Sequence, residues 1–405
     1  MHMSPLIKPF HIAIDGNEAN IKERVGSNVF AFELLYELEQ LTRGNQSQAV
    51  TVLLHQRPLE HMPKERKGWK YQVLTPRTFW TQWALPLHLF QKRKLYDIFF
   101  TPGHYAPRFC PIPYVSSVMD TAYLDYPRQF TATDRLQLTQ WTEYSVKNAA
   151  KVLAISKATK KKIQEHYQLP ADSIFVTYPA VRPLREKLSK SEETQFFAAQ
   201  QITGPYFLFV GTLQPRKNIK ILIKAFELFM EEYATSKEIF STTSKRSAKK
   251  LAVQPQLVLA GKAGWLSEPI IDQVKDSPQS KQIVMTGFIT DLEKKSLIEH
   301  SQALVLIGLL EGFGLPPLEA LQYGSVPIVS QTSSLPEVVG DAGILVDPLD
   351  VREVVQAFWK VYLLKARDRA ALLKKGREQV QTFSWTRSAQ ELLAVLEQTA
   401  HEKEV

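Results

Sequence analysis

Glu311-Gly312-Phe313-Gly314-Leu315-Pro316-Pro317-Leu318-Glu319-Ala320 is the stretch on which the fold reading turns. The apolar run before it, residues 303–310, has the length and composition of a buried strand in a parallel sheet. Pro316 and Pro317 set φ where a first helical turn would begin, and Gly324 stands where a short helix would stop. The segment therefore reads as strand, glycine loop, helix N-terminus. In an open α/β sheet such a loop lies at the carboxyl end of the strand, where ligands bind. Gly312 and Gly314 allow close backbone approach. The amides and positive dipole end of the helix favour a phosphate. Carboxylates would repel that phosphate, so Glu311 and Glu319 make better sense as acceptors for hydroxyls on either side of it. A sugar, a diphosphate and a ribose supply that order of groups. From spacing alone the two glutamates read equally well as solvated surface.

A second stretch has the same logic. Residues 206–210 form an apolar strand, followed by Gly211-Thr212-Leu213-Gln214-Pro215-Arg216-Lys217-Asn218 and helical sequence over 219–232. Arg can grip a phosphate bidentately and Lys adds a point charge, here behind a glycine turn at a helix start. Nearer the N-terminus, residues 10–14 read as a strand, and a polar loop leads to Gly26 before a helical apolar pattern that begins at Val29. This is not the G-x-G-x-x-G of dehydrogenase-type folds. Taken alone, Gly26 reads as an ordinary strand-to-helix connection.

Strands alternating with helices in both halves give the fold class: α/β, two doubly wound Rossmann-like domains facing a central cleft. The composition turns charged and polar over 182–203, which places the boundaries. Residues 1–185 are the first domain, 186–204 a linker, 205–380 the second domain and 381–405 a final helix. Residues 235–256, with Lys237, Lys245, Arg246, Lys249 and Lys250, read as a mobile surface insertion.

Two glutamates seven residues apart around G-F-G-L-P, with the G-T-L-x-P-R-K-N string upstream, resemble the signature of the family 4 retaining glycosyltransferases, the mannosyltransferase-like group 1 enzymes of GT-B architecture. The likeness is strongest over 206–348. It implies transfer of a hexose, mannose or glucose type, from a GDP- or UDP-sugar donor to a hydroxyl of a glycan or lipid-linked acceptor. It further implies that the first domain serves the acceptor and the second the nucleotide sugar, with the last helix crossing back to the first domain. Carried over residue by residue, Glu311 meets the donor sugar and Glu319 the ribose. Gly26, Gly211, Arg216, Lys217, Phe313, Gly314 and Leu315 line the sugar diphosphate, and Phe288 and Ile289 the base. Arg216 and Lys217 stabilise the leaving diphosphate in place of a metal, no D-x-D carboxylate pair being placed for one, so neither metal nor other cofactor is expected. The family commonly has His-Asp where this chain has Met119-Asp120. Asp120 keeps a role at the reacting centre, Met119 cannot make a strong hydrogen bond, and His104 is the imidazole closest in sequence. A nucleotide-sugar 2-epimerase shares the architecture, and a non-catalytic sugar-nucleotide-binding protein is the reading that Met119 would favour.

The composition fits a globular protein: 405 residues, 44% hydrophobic, 22% charged. Cys110 is the lone cysteine, which rules out an internal disulfide. No run approaches a spanning helix and no signal-peptide pattern opens the chain, so the expected location is cytoplasmic. The net charge of +9 suits an anionic substrate or membrane surface. Zinc-finger and RNA-recognition spacings are absent, and no nucleic-acid partner is expected. Residues 78–94 mix Trp80, Trp83 and leucines with Lys92, Arg93 and Lys94. They read either as core or acceptor-cleft lining with a solvated helix end, or as a peripheral contact with an anionic membrane, the latter in keeping with the lipid-linked acceptors of the family. Pro86 is expected to interrupt any long helix there.

Overall fold

The structure, a computed structural model, describes residues 9–24, 26–243 and 253–402. The chain divides into two units, one of residues 1–179 with 383–405 and one of residues 180–382.

The first unit is built on seven parallel strands: β1 (Phe10–Asp15), β2 (Gln48–Leu54), β3 (Trp69–Val73), β4 (Ile98–Thr101), β5 (Tyr114–Val118), β6 (Lys151–Ala154) and β7 (Ile174–Val176). Their order across the sheet is β3-β2-β1-β4-β5-β6-β7. The apolar strand β4 and the strand β5, which carries Ser116 and Ser117 at its centre, are buried along their whole length, as strands covered on both faces are. Leu53 of β2, Phe99 of β4 and Tyr114 of β5 join Trp80, Leu85 and Leu89 in one apolar cluster. The closing helix Trp385–His401 belongs to this unit and lies against the helix Ser27–Thr42. Trp385 meets Phe30 at 6.0 Å between ring centroids, and the Thr386 hydroxyl donates to Glu37 at 2.9 Å.

The second unit carries β8 (Tyr206–Val210), β9 (Gln256–Ala260), β10 (Ile283–Gly287), β11 (Ala303–Leu306), β12 (Val326–Ser330) and β13 (Ile344–Val346). Their order is β10-β9-β8-β11-β12-β13, again all parallel. Phe207 stacks on Phe358 at 4.2 Å and meets Phe229 edge-on at 5.4 Å. Each such buried ring is worth about 1.5–3 kcal/mol over its exposed state. In both sheets the strand order reverses once, between β1 and β4 and between β8 and β11. The carboxyl ends of those pairs form the topological switch points where doubly wound folds hold ligands.

Three expectations change. The linker expected over 186–204 holds a helix, Lys190–Ala199, started by a reciprocal cap between Ser189 and Glu192. The boundary between units falls ahead of it, at Pro179 and Ala180. The helix expected to stop at residue 232 runs from Ile219 to Thr243, and residues 244–252 of the expected insertion, with Lys245, Arg246, Lys249 and Lys250, lie outside the described residues. Finally, Pro86 does not interrupt its segment. It occupies the first turn of the helix Leu85–Gln91, where a missing N–H is tolerated, directly after a wider π-helical turn at Trp80–Ala84.

Candidate functional site

The two glycine loops leave neighbouring strands at the β8/β11 switch point. After β8 the chain passes Gly211, whose φ of 149° sits beside Gly261; a Cβ on Gly261 would lie 2.0 Å from the Gly211 carbonyl oxygen. The backbones of these loops are therefore in direct apposition. Gly211 N–H donates to Ala260 and Gly261 N–H to Gly287, each at 2.9 Å, so the ends of β8, β9 and β10 are tied in a row. The chain then makes a short 3-10 turn, Pro215–Lys217, ahead of the helix Ile219–Thr243. Asn218 makes the bend between them with φ 58° and anchors it by donating to the Pro348 carbonyl at 2.6 Å.

β11 ends at Leu306, four residues before the end of the apolar run that announced it. Residues 307–310 instead turn beneath the first loop. Leu309 N–H donates to the Arg216 carbonyl at 3.1 Å, and the buried Ser330 hydroxyl donates to the Gly308 carbonyl at 2.8 Å. This brings Glu311 under Lys217. The ammonium donates to both carboxylate oxygens of Glu311 at 2.7 Å, and Arg216 Nη1 lies 3.7 Å from Oε2. Glu311 is only 6% exposed. Gly308 makes room for it, since a Cβ there would stand 2.6 Å from Glu311 Oε1. Ser334 fixes the loop from the other side, its hydroxyl meeting the carbonyls of Glu311 and Phe313 at 2.8 and 2.6 Å.

Gly314 caps the helix Leu315–Tyr323 with φ 110°, and its missing Cβ leaves room for Leu335, whose Cδ2 would otherwise be 2.5 Å away. Because residues 316 and 317 are prolines, the amide donors at this helix start come from Gly314 and Leu315. Glu319, one turn on, accepts from Lys294 at 2.7 Å, and Lys294 also lies 3.1 Å from Asp291. Burial would lower the Lys294 ammonium, but the charges of Glu319 and Asp291 outweigh it and hold the group above the ordinary lysine range. Burial pushes the Glu319 carboxyl up, with Lys294 opposing.

The second unit thus brings together Gly211, Arg216, Lys217, Glu311, Gly314, Leu315 and Glu319 at or beside one switch point. Phe313, in the loop between Glu311 and Gly314, is 3% exposed, and its side chain is part of the interior. Phe288 and Ile289 follow β10, two strands from β8. Phe288 is 54% exposed, with the Lys262 ammonium 4.5 Å from its ring centroid. Gly308, Lys294 and Ser334 carry no local sequence signature and were not expected.

Gly26 and Asp120 lie in the first unit. Gly26 starts the helix Ser27–Thr42 with φ 50° and open space where a Cβ would be. Asp120 follows β5 and accepts from the Ala122 amide at 3.0 Å. His104 follows β4. Burial pulls its imidazole down, the charge of Asp120 opposes, and the ring meets Tyr123 edge-on at 6.5 Å. Its Nδ1 is buried without a hydrogen-bond partner. Met119 is buried and turns its carbonyl to the Thr159 hydroxyl at 3.4 Å. Asp15, at the end of β1, accepts from Asn17 through both its amide and its side chain. Burial first, then the charge of Glu18, pushes the Asp15 carboxyl up to about 7 against those bonds. Glu18 accepts from the Asn28 side chain at 2.6 Å, and burial raises it too. Among the described residues no group of three or more His, Cys, Asp or Glu is arranged to hold a metal ion.

Residues 191–379 match the family model described as "Glycosyl transferases group 1". Over 317 residues the chain is 28% identical to O-antigen chain mannosyltransferase B of Escherichia coli, a match that takes in 78% of this chain and 76% of that one. It is also 28% identical over 243 residues to the E. coli serotype-specific mannosyltransferase WbdA, covering 59% of this chain but 27% of that longer protein. Among solved structures it resembles Anabaena HepE in complex with UDP and glucose, with a TM-score of 0.69 at 17% identity over 96% of this chain and 100% of that one. Sucrose-phosphate synthase from Thermosynechococcus elongatus superposes with a TM-score of 0.68, also at 17% identity, over 96% and 98% of the two chains. The fold is therefore that of GT-B glycosyltransferases, two Rossmann-like domains on parallel sheets. In sequence the chain is a relative of the group 1 glycosyltransferases, with mannosyltransferases among its kin.

Proposed function

We propose that the chain is a metal-independent, retaining glycosyltransferase of family 4. It moves a hexose of the mannose or glucose type from a GDP- or UDP-sugar to a hydroxyl of a glycan or lipid-linked acceptor. The observation that carries this reading is the meeting of Lys217 and Glu311 at 2.7 Å, which joins the basic loop and the glutamate loop into one site at the switch point of the second sheet.

In this reading Arg216, Lys217 and the amides of Gly314 and Leu315 receive the charge that develops on the leaving nucleoside diphosphate. Glu319 accepts from the ribose. A carboxylate has about four lone-pair sites, so its bond to Lys294 leaves capacity for a hydroxyl. Glu311 orients Lys217 and accepts from the donor sugar, Gly26 and Gly211 flank the phosphates, and Phe288 and Ile289 flank the base. The new bond forms between the acceptor oxygen and the anomeric carbon on the face from which the phosphate leaves. The carbon–oxygen bond to the diphosphate breaks, and the acceptor proton passes to the departing phosphate oxygen. Asp120 orients groups at the reacting centre, and His104 supplies the imidazole edge that Met119 cannot.

Titration of the full chain with GDP, UDP and their hexose conjugates, read by calorimetry, tests the reading. One nucleoside diphosphate series should bind, and the conjugated sugar should be released or transferred in the presence of EDTA. No binding across both series would overturn it. Donor epimerised in the absence of acceptor would point to a 2-epimerase instead.

A further inference from the structure

The segment after β3 carries a surface that sugar-nucleotide chemistry leaves unused. The π-helical turn Trp80–Ala84 and the helix Leu85–Gln91 have two apolar faces. One face, with Trp80, Ala84, Leu85 and Leu89, is buried in the core of the first unit. The other holds Phe79, Trp83, Leu87 and Phe90, which are 65%, 70%, 59% and 56% exposed. Trp83, Leu87 and Phe90 stand on the solvent side of this segment, and Phe79, whose carbonyl accepts from the Trp83 amide at 2.9 Å, extends the exposed apolar stripe at its start. At 150–250 Å² per aromatic side chain, the stripe leaves on the order of 400 Å² of apolar surface in water. That lies within the range of the largest apolar patch on an ordinary monomer, and patches of that size are often functional.

The backbone gives a second, independent sign. Phe79 sits at φ 56°, a left-handed conformation disfavoured for a bulky residue, yet its ring gains no burial in return. Backbone strain without a packing return gathers at functional segments, and so do π turns.

Charge identifies the occupant. Between Glu65 and Asp97 every charged residue is a lysine or an arginine. Lys92, Arg93 and Lys94 are exposed and follow the stripe directly. Arg93 lies 4.4 Å from the Phe90 ring centroid and donates to the Phe90 carbonyl at 2.8 Å, which holds a cation at the rim of the stripe. A second copy of the chain, meeting this face across a two-fold axis, would set cationic rim against cationic rim. Nucleic acid offers no apolar layer for the stripe to enter. An acidic lipid surface offers both complements, an anionic headgroup plane and an apolar layer a few ångströms beneath it.

We propose that this stripe docks the protein on an anionic membrane surface, with Phe79, Trp83, Leu87 and Phe90 entering at headgroup depth and Lys92, Arg93 and Lys94 meeting acidic headgroups. Among the described residues no helix is long and apolar enough to cross a membrane, so the contact is peripheral.

Sedimentation of the full-length chain with vesicles tests it. Wild type should pellet with phosphatidylcholine vesicles containing phosphatidylglycerol, stay in solution with phosphatidylcholine alone, and be released at about 0.5 M salt. Replacing Lys92, Arg93 and Lys94 with Gln should lower the partition coefficient about 10²-fold. The pair Trp83→Gln and Leu87→Gln should lower it at least tenfold with an unchanged thermal midpoint, since both side chains are solvent-exposed. Wild type remaining in the supernatant with anionic vesicles at low salt overturns the proposal, as does undiminished pelleting of the Trp83/Leu87 variant. A wild-type dimer that falls apart in that variant, with no vesicle binding, would assign the face to a second copy and also overturn it.

Discussion

The two switch points share a strand order and differ in how they handle charge. At β8/β11 each carboxylate has its own lysine: Glu311 with Lys217 and Glu319 with Lys294, both at 2.7 Å. At β1/β4 the acids are partnered by amides and hydroxyls. Asp15 is held by Asn17, and Glu18 by Asn28 and Ser27. Burial accordingly drives Asp15, Glu18 and His104 toward their neutral forms. The same backbone topology therefore yields one site whose carboxylates face lysines and one whose carboxyls face amides and hydroxyls, although burial raises the Glu319 carboxyl at the first as it raises Asp15 and Glu18 at the second. The first kind suits a diphosphate, whose charge can be met by cations already in place. The second suits an uncharged, hydroxyl-rich group. Topology sets the place of each crevice, and side-chain pairing sets what it can hold.

The sharpest way to break this contrast is to remove a cation from the charged site. Lys217→Ala should lower kcat/KM by about 10²-fold or more, the scale of a lost charge-stabilising group. It should also destabilise the fold by about 3 kcal/mol, because among the described residues Glu311 would keep only Arg216, at 3.7 Å, as a paired cation. Adding Glu311→Ala should recover much of the stability in thermal denaturation while nucleoside diphosphate affinity stays low. Wild-type rates in Lys217→Ala would remove the phosphate role from this loop.

At the neutral site the corresponding change should stabilise. The Asp15 carboxyl moves from an ordinary 3.8 to about 7 on folding, so the fold favours its protonated form. That contribution is complete below about pH 4, is lost as pH rises toward 7, and is gone above it. Asp15→Asn keeps the acceptor oxygen that Asn17 uses and cannot ionise. Near pH 4 the variant and the wild type should be about equally stable. The variant should pull ahead as pH rises and lead by a few kcal/mol at pH 8 in denaturant titrations. Parallel stability curves from pH 4 to 8 would mean that Asp15 carries its charge without cost.

Much of this was legible in the sequence because local pattern and three-dimensional placement coincide. The run Tyr206–Val210 is an unbroken buried strand, and glycine, proline and basic residues after it mark a loop and a helix start. What stayed hidden depends on distant partners. Lys294 stands on another helix, 25 residues from Glu319, with nothing local to announce the pair. Gly308 looks like an ordinary member of an apolar run, and its purpose appears only when the Glu311 carboxylate folds against it. The run 303–310 reads as all strand in the sequence because apolar residues that line a buried turn look the same as those in a sheet. The segment after β3 is apolar on both faces, so periodicity alone could not say which residues enter the core.

The smallest expected effect separates the two glutamates within the charged site. Glu319→Ala removes the proposed ribose acceptor and should weaken nucleoside diphosphate binding by about tenfold, the value of one hydrogen bond to a charged group. Glu311→Ala should change that affinity by less than about threefold, because its proposed ligand is the sugar, and should instead slow transfer. Lys294→Met is the control that keeps Glu319 in place but removes its cation. Burial already raises the Glu319 carboxyl, and Lys294 is what opposes the rise. Without Lys294 the carboxyl should protonate at a higher pH. A ribose hydroxyl donates to the ionised form, so affinity in Lys294→Met should fall as pH is lowered, over a range where the wild type is still flat. Calorimetric titration with the nucleoside diphosphate at several pH values measures both effects. If the two alanine variants lose nucleotide affinity equally and Lys294→Met shows no pH dependence, the glutamates act through one shared ion network and the division between sugar and ribose fails.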